Sequence, residues 1–585
     1  MKAMVLALIS GGLLLSSTPV VKAADISWQV RNAGGKQAAV ELALVNLPAG
    51  ENPFDPNYAD VVATIVDPSG KTFSIPAFWY QGYEIVSSYN QLSNRKVGEP
   101  EWRLKFRPNI KGDFKISVIA KINGQQIAIP NTNYTVTETS PQQVTIKGRN
   151  FVRGEEIFIP FAYNIAWASR YEEIAKYERW FKAASANGVN VARVWMASWS
   201  LGIEWNDTGL GDYTKRLDRA WALDQVFRIG AKYGIGIDLV LINHGAFSES
   251  TNPEWFANPY NSLNGGPISN PGQFATDPTA RKFWEQRLRY ITARWAAEPA
   301  LFTWEWWNEV NFTPISGQVL TDWILWSDSL LKRWDPYKTI TTTSWSSGAS
   351  LQDWSVVDYA VTHVYDDKDP IKTLGAQASS LRAAVPDKPI LVGEMGSGTV
   401  TEDPFTDPFG LHLHNAHWAA TFVGFGAPAS YWWWDIYVDP LNLWGLTKGL
   451  SLLLAGTNPV EMTPSQISTL KSTSTLLLSD NQYVLGWIRH NDYDRSAKAR
   501  LLLEAAIKSL KTKKPPQTKF PDPKSKGGKV SIPVVEDGTY QVLVSETKSG
   551  KQLKSYSIVS KDKKLSFVIP AFTGDIAFKA IRKVG

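Results

Sequence analysis

The feature that most limits what this chain can fold into is a change of hydrophobic period. Between about Val144 and Ser479, short apolar runs of strand character alternate with amphipathic stretches of helical period. On either side of that region, apolar and polar residues instead alternate one by one. Alternating strands and helices call for a parallel sheet with helices packed outside it, because each helix buries its stripe on the sheet it connects. The region is long enough for eight such units, so the sequence predicts a (β/α)8 TIM barrel. Expected strands are Ile157–Asn164, Val189–Met196, Gly236–Asn243, the stretch from Thr303, Thr339–Ser344, Val357–Val364, Pro389–Gly393 and Ala429–Trp434. Expected helices are Tyr171–Ala186, Leu217–Tyr233, Arg281–Trp295, Trp323–Trp334, Leu374–Ala384 and His412–Phe425. A loop rich in Asn, Gly, Pro and aromatics, Gly245 to about Asp277, follows the third strand.

The flanks read differently. With 585 residues the chain exceeds one hydrophobic core, so several domains are expected. From 25 to 143, runs such as A-D-V-V-A-T-I-V and D-F-K-I-S-V-I-A-K-I end in D-P-S-G and N-G turns, the pattern of an antiparallel β-sandwich. From 480 to 585, Y-V-L-G-W-I-R, A-R-L-L-L-E-A-A-I, T-Y-Q-V-L-V-S-E-T and L-S-F-V-I-P predict a second all-β sandwich. Residues 1–23 have the form of an export signal: Lys2, an apolar run from Met4 to Leu15, then V-K-A. That run is too short for a membrane span, and no later stretch reaches the length of one.

Composition narrows the chemistry. The chain has no Cys, which excludes disulfides, thiolate-bound zinc and a thiol nucleophile, and suits a secreted or cell-envelope bacterial protein. Its 6 His are scattered, and there is no phosphate loop, dinucleotide fingerprint or H-E-x-x-H. Much of the formal charge of +6 sits in Lys508–Lys529. That run is broken by Pro and lacks interleaved aromatics, so it reads as a solvated loop rather than a nucleic-acid surface.

Within the central region the stretch Thr303–Asn311, T-W-E-W-W-N-E-V-N, stands out. Read as one strand, it places Thr303, Glu305, Trp307 and Glu309 on one face. Two acids among indoles cost free energy unless they are paired or at work. A carboxyl at a strand end, beside the amide of Asn308, suits a general acid.

W-E-W-W-N-E resembles the fourth barrel strand of clan A glycoside hydrolases, family 5 especially. There an acid stands four residues before the catalytic Glu and an Asn just before it, the places of Glu305, Asn308 and Glu309. The Pro that usually follows is Val310 here. P-I-L-V-G-E-M-G resembles the nucleophile strand of that clan and implies Glu394. The resemblance also implies substrate-site roles for Arg193 in V-N-V-A-R-V-W, for His244 after the third strand, and for His363 and Tyr365 in V-T-H-V-Y. In S-Y-W-W-W-D, Trp432 and Trp434 would share a face, with Trp434 as the floor under a sugar. Arg193 could pair with Glu394, with Glu305, or with both. Trp195, Trp199, Trp205, Trp255 and Tyr260 either line a cleft or pack within loops. The leading module resembles the immunoglobulin-like domain often placed ahead of such barrels.

The resemblance implies a retaining glycosidase, with Glu394 as nucleophile and Glu309 as acid and then base. It acts on a β-linked polysaccharide or oligosaccharide of glucan or mannan type and needs no metal or organic cofactor. Two alternatives stay open, an exo-acting β-glycosidase and a non-catalytic carbohydrate-binding envelope protein. Oligomeric state is not legible.

Overall fold

The computed structural model describes residues 26–89, 91–346, 354–366, 369–398, 407–515 and 520–583. The expected export signal, 1–23, lies outside the described residues. Among the described residues no helix is long and apolar enough to cross a membrane.

The chain is multidomain and rich in β-sheet. Its leading part has two antiparallel sheets. One runs in the order Ser27–Gly35, Ala38–Val45, Gln91–Phe106, Phe78–Ser88. The other runs Thr72–Pro76, Ala59–Val66, Gly112–Ile122, Gln125–Ile127, with Thr132–Val136 also on Gly112–Ile122. Burial alternates residue by residue along Ala59–Val66 and Gly112–Ile122. The inward faces share a core built on Val40, Leu42, Leu44, Ile65, Trp102, Leu104, Phe106 and Ile116. Gln91–Pro100 is largely exposed, but at the end of the same strand Lys105 is buried among acids from the helical layer. Lys105, 4% exposed, places its Nζ 2.6 Å from Glu298 Oε1, with Glu41 at 3.7 Å and Asp224 at 4.0 Å. Arg294 pairs with Asp224 at 2.6 Å. A buried cation costs several kcal/mol unless acids surround it, so this cluster fixes how the sheet sits on the helices Leu217–Tyr233 and Pro278–Trp295.

The central part differs from expectation at its start. Glu156–Ile157 is not part of the first parallel strand; it closes a small antiparallel sheet with Val144–Lys147 and Asn150–Arg153. That sheet packs Val144 and Phe151 against Val191, Phe302, Ile340 and Val361, close to the N-terminal ends of four parallel strands. Parallel pairing then runs through Ala162–Asn164, Val191–Trp195, Gly236–Val240, Leu301–Glu305 and Ile340–Thr342. It resumes, one residue on, through Ser344–Ser346, Ala360–Tyr365 and Ile390–Gly396. Single bridges from Tyr431 to Met395 and to Tyr163 join the last strand to the first. No extended strand forms over Ala429–Trp434: Ser430, Tyr431 and Trp432 contribute the bridging backbone, and Trp434–Val438 turns helically. Trp434 N–H donates back to Trp432 O, a tight turn that ends the extended backbone there.

The trailing part is a six-stranded antiparallel sheet whose core is shared with a separate antiparallel pair, Gly528–Pro533 and Lys564–Ile569. It begins earlier than expected, because Thr463–Ile467 and Thr473–Ser479 pair into it ahead of Tyr483–His490. The run A-R-L-L-L-E-A-A-I, expected as a strand, lies in a helix, Arg495–Thr512, capped by the Asp494 carboxylate on the Ala497 N–H. Ala, Leu, Glu, Lys and Arg are strong helix formers, and among the described residues no strand pairs with the segment. Lys508–Thr512 therefore belongs to a helix rather than to the expected loop, and 516–519 lies outside the described residues.

Candidate functional site

The strand containing Thr303 stops at Glu305, which overturns the expectation of one strand through Asn311. The next residues take their hydrogen bonds from neighbouring strand ends: Trp306 N–H donates to Thr342 O and Asn308 N–H to Ile242 O. Glu309 itself is left-handed, at φ 45° and ψ 51°. A non-glycine residue pays about 1–3 kcal/mol to be held there. Ser344 Oγ accepts its N–H at 3.1 Å, and just beyond, Asn311 Nδ2 donates to Ser346 Oγ while Asn311 Oδ1 accepts from Ser346 N–H. This kink, not side-chain alternation, turns the Glu309 carboxyl inward. Trp304, Trp306 and Trp307 are fully buried and serve as core, with Trp307 against Phe247, Phe274 and Trp323.

Arg193 lies at the centre, 2% exposed. Its guanidinium donates to both oxygens of Glu305 at 2.7 Å, to Glu394 Oε1 at 2.6 Å, to Asn308 Oδ1 at 2.7 Å and to Asn164 Oδ1 at 3.1 Å. One planar cation thus binds both acids it was a candidate for, as a rigid fork can. The Tyr365 hydroxyl donates to the other oxygen of Glu394 at 2.5 Å. Asn308, with its oxygen committed to Arg193, directs its Nδ2 to His244 Nδ1 at 2.9 Å.

His363 Nδ1 stands 3.0 Å from Glu309 Oε1 and 3.5 Å from Glu394 Oε2. Its Nε2 has no partner among the described residues, so the single proton of a neutral ring belongs on Nδ1, where oxygens accept it. Burial pushes His363 down to about 4, keeping the ring neutral above that. Burial also pushes Glu309 upward, against a lesser downward pull from His244 and Arg193. Glu394 is pushed upward by burial as well, opposed by His363, Arg193 and the Tyr365 hydrogen bond. Only Glu394 receives bonds from a fixed cation and a hydroxyl, and such bonds favour its ionised form. A pair of carboxyls sharing one proton therefore keeps that proton on Glu309.

The two carboxyls open into a cavity of about 620 Å³. Glu309, Glu394, His244, His363, Tyr365 and Trp432 line it, together with Trp167, Trp195, Trp199 and Trp433. Three candidates stand elsewhere. Arg193 and Asn308 lie behind the acids rather than in the cavity wall. Trp434, expected as the floor, is 1% exposed and packs edge-on behind Trp167 and Trp432, at 5.0 and 5.4 Å. Without strand alternation, Trp432 and its neighbour Trp433 both reach the cavity. Trp255 and Tyr260 pack around Phe247, and Trp205 lies beside a different hollow.

Sequence reading missed Asn164, whose Nδ2 is held among Gly393 O, Ser430 and Tyr431 O while its oxygen accepts from Arg193. Its position at the end of the first strand was the only available signal. Gly393, the glycine before Glu394 in P-I-L-V-G-E-M-G, is a place of close approach, as that motif leads one to expect. A Cβ there would lie 2.4 Å from Val361 Cγ1 and 3.1 Å from His363 Nε2, both on buried side chains. We expect Gly393→Ala to cost about 1–3 kcal/mol of stability by overpacking, read as a lower urea midpoint at unchanged m-value.

One oxygen each of Glu309 and Glu394 and one His363 nitrogen lie within 4.8 Å of one another. The set has the ligand types for a divalent cation. The guanidinium 2.6 Å from Glu394 opposes one, since like charges at that range repel strongly in a buried site.

No protein-family model matches the sequence, and no curated protein matches it. Solved structures do. A candidate glycoside hydrolase from Bacteroides vulgatus aligns over 94% of this chain and 99% of its own, at TM-score 0.60 and 14% identity. A glycoside hydrolase of family 5 from Bacteroides vulgatus aligns over 76% of this chain and 94% of its own, at TM-score 0.46 and 13% identity. The first of these shows a shared fold across nearly the whole length of both chains.

Proposed function

We propose that this chain is an exported retaining glycoside hydrolase acting on neutral β-linked polysaccharide of the glucan or mannan type. In this reading the parallel strands, with Tyr431 in the eighth place, form a (β/α)8 barrel spanning about 144–462. The antiparallel parts before and after it are separate β-sandwich domains. The observation that carries the proposal is the carboxyl pair. Oxygens of Glu309 and Glu394 approach within 4.8 Å at the floor of a cavity walled by indoles. Retaining glycosidases hold their two carboxyls about 5–5.5 Å apart, and inverting ones further, to admit a water. Apolar indole faces suit the C–H faces of a pyranose.

The chemistry follows from the unequal surroundings of the pair. Glu394, ionised against Arg193 and Tyr365, attacks the anomeric carbon as Glu309 gives its proton to the departing glycosidic oxygen. That bond breaks and a glycosyl ester forms on Glu394. Glu309, now a carboxylate, takes a proton from water, whose oxygen attacks the same carbon; the ester breaks and both acids return to their first state. Arg193 and Asn308 are positioning residues: they fix Glu394 and His244 and do not touch sugar.

The test is a panel of aryl β-glycosides and polysaccharides, with the anomer of the first product read by NMR. The β anomer supports retention. A wild-type chain inert on the whole panel would overturn the reading. Activity should fall as pH drops through the Glu394 pKa and as it rises through that of Glu309. Since burial raises both, the whole profile lies above the usual carboxylate range. Trp432→Ala should raise KM about tenfold or more at little change in kcat. Roughly 50–100 Å² of apolar contact at ~25 cal/mol/Å² is about 1–2.5 kcal/mol.

A further inference from the structure

The helix Arg495–Thr512 is unlike every other long helix described here. Of its residues only Ala497 is buried. Leu503 is 61% exposed, Ile507 45% and Leu510 83%. At 100° per residue these three fall, with Ala506, within about 100° of arc. A helix normally turns such a stripe into its own core; this one turns it to solvent. Arg500 and Lys511 border the stripe on one side, Lys508 lies towards the opposite face, and Lys513 and Lys514 follow the helix, all exposed. Glu504 is the single acid between Arg495 and Thr512.

Both halves of that pattern have to be met by one occupant. An acidic polymer would neutralise the lysines but leave the leucines in water. A second copy would bring its own arginine and lysines against these. A neutral glycan would want aromatic faces, and the helix carries none. An anionic bilayer surface satisfies both, taking the apolar stripe below its headgroups while the cations stay among them. We propose that Arg495–Thr512 is a peripheral docking helix for an anionic lipid surface.

The position of its base adds a consequence. Lys498 lies over the Phe409 ring at 5.6 Å and pairs with Asp522 at 2.5 Å. Phe409 stands in the connection that follows the strand bearing Glu394, so the helix is rooted at the end of the molecule where the cavity opens. Docking would hold that end near the membrane.

The experiment is co-sedimentation of the chain lacking residues 1–23, so that their apolar run supplies no binding. The vesicles are pure phosphatidylcholine or an equimolar mixture with phosphatidylglycerol. Binding is expected to the anionic vesicles alone and to weaken with salt. Each cation near an anionic surface contributes about fivefold to partitioning, so Arg500→Glu/Lys511→Glu should reduce binding by at least about 25-fold. Leu503→Ser/Leu510→Ser should abolish it, while Arg500→Lys/Lys511→Arg keeps it. Because these side chains are exposed, unfolding midpoints should not move; a variant whose midpoint falls is replaced by Ile507→Ser. Four results would each overturn the proposal. They are no binding by the parent chain, equal binding to neutral vesicles, binding to a soluble acidic polysaccharide but not to vesicles, and a dimer in sedimentation equilibrium that Leu503→Ser/Leu510→Ser dissolves. Since no readout is hydrolysis, failure here is distinct from failure of the glycosidase reading.

Discussion

Glu309→Ala is expected to lower kcat on polysaccharide by about 10²–10⁴-fold, the range general acid–base catalysis supplies, with KM little changed. The size depends on the leaving group. A natural sugar alkoxide needs Glu309's proton, whereas a dinitrophenolate leaves without one. On an aryl glycoside with such a leaving group the first step should therefore survive, and the glycosyl ester on Glu394 should accumulate. Glu309→Ala would then show a burst of phenolate followed by slow turnover, with an added anion such as azide restoring the second step. The alkaline limb of the pH profile should disappear in Glu309→Gln, which cannot ionise. Full activity of Glu309→Ala on polysaccharide would remove Glu309 from the acid role whatever happens at Glu394.

Arg193→Leu should cost about 3–5 kcal/mol of stability, the penalty for deleting one partner of a buried ion pair. Here one guanidinium serves Glu305, Glu394, Asn308 and Asn164, and the leucine leaves two acids buried without their cation. The sign with pH can be worked out. Burial alone would lower the Arg193 pKa, but the charges and hydrogen bonds of Glu305 and Glu394 outweigh it and raise the pKa, so its stabilisation is fully present throughout the measurable range and would be lost only at far higher pH. The carboxyls supply the pH dependence. As pH falls they take up protons and no longer need a cation, so the deficit of Arg193→Leu should shrink towards acid. Urea unfolding at several pH values would show this, and a constant deficit would mean that the network is not electrostatic. Arg193→Lys should recover only part, because an ammonium cannot reproduce the fork. Activity should fall in both, since Glu394 loses the bond that favours its ionised form.

Much of this was legible because the physics is local. The D-P-S-G and N-G turns and the strict alternation of Ala59–Val66 demand a half-buried antiparallel strand wherever they occur. The helix Leu217–Tyr233 has the bounds its periodicity predicts, closed by Gly234 in the left-handed conformation. Misreadings arose where a distant partner decided. The run from Thr303 is rich in aromatics and has no Gly or Pro, so its pattern allows a strand through Asn311; the hydrogen bonds that Trp306, Asn308 and Glu309 N–H donate to Thr342 O, Ile242 O and Ser344 Oγ bend it instead. S-Y-W-W-W-D has strand composition, but its indoles lodge in separate sites, which sends Trp434 inward and Trp433 to the cavity. The leucines around Leu502 allow a strand by their pattern, and only the assembled fold shows that no described sheet takes them up.

By itself the sequence determined the order of antiparallel, alternating and antiparallel parts, though not the helix Arg495–Thr512 in the last, and the residue types gathered at the central strand ends: Arg193, His244, Asn308, Glu309, His363, Tyr365 and Glu394. Their period and spacing suffice, because neighbours in sequence set which side chains can share a face. Only the tertiary structure decided which of them meet and in what state. The left-handed turn at Glu309, the single cation shared by Glu305 and Glu394, and His363 between the two carboxyls depend on segments up to 201 residues apart. Burial at that junction, which raises both acids and keeps the imidazole neutral, is a property of the assembled interior rather than of any stretch of chain.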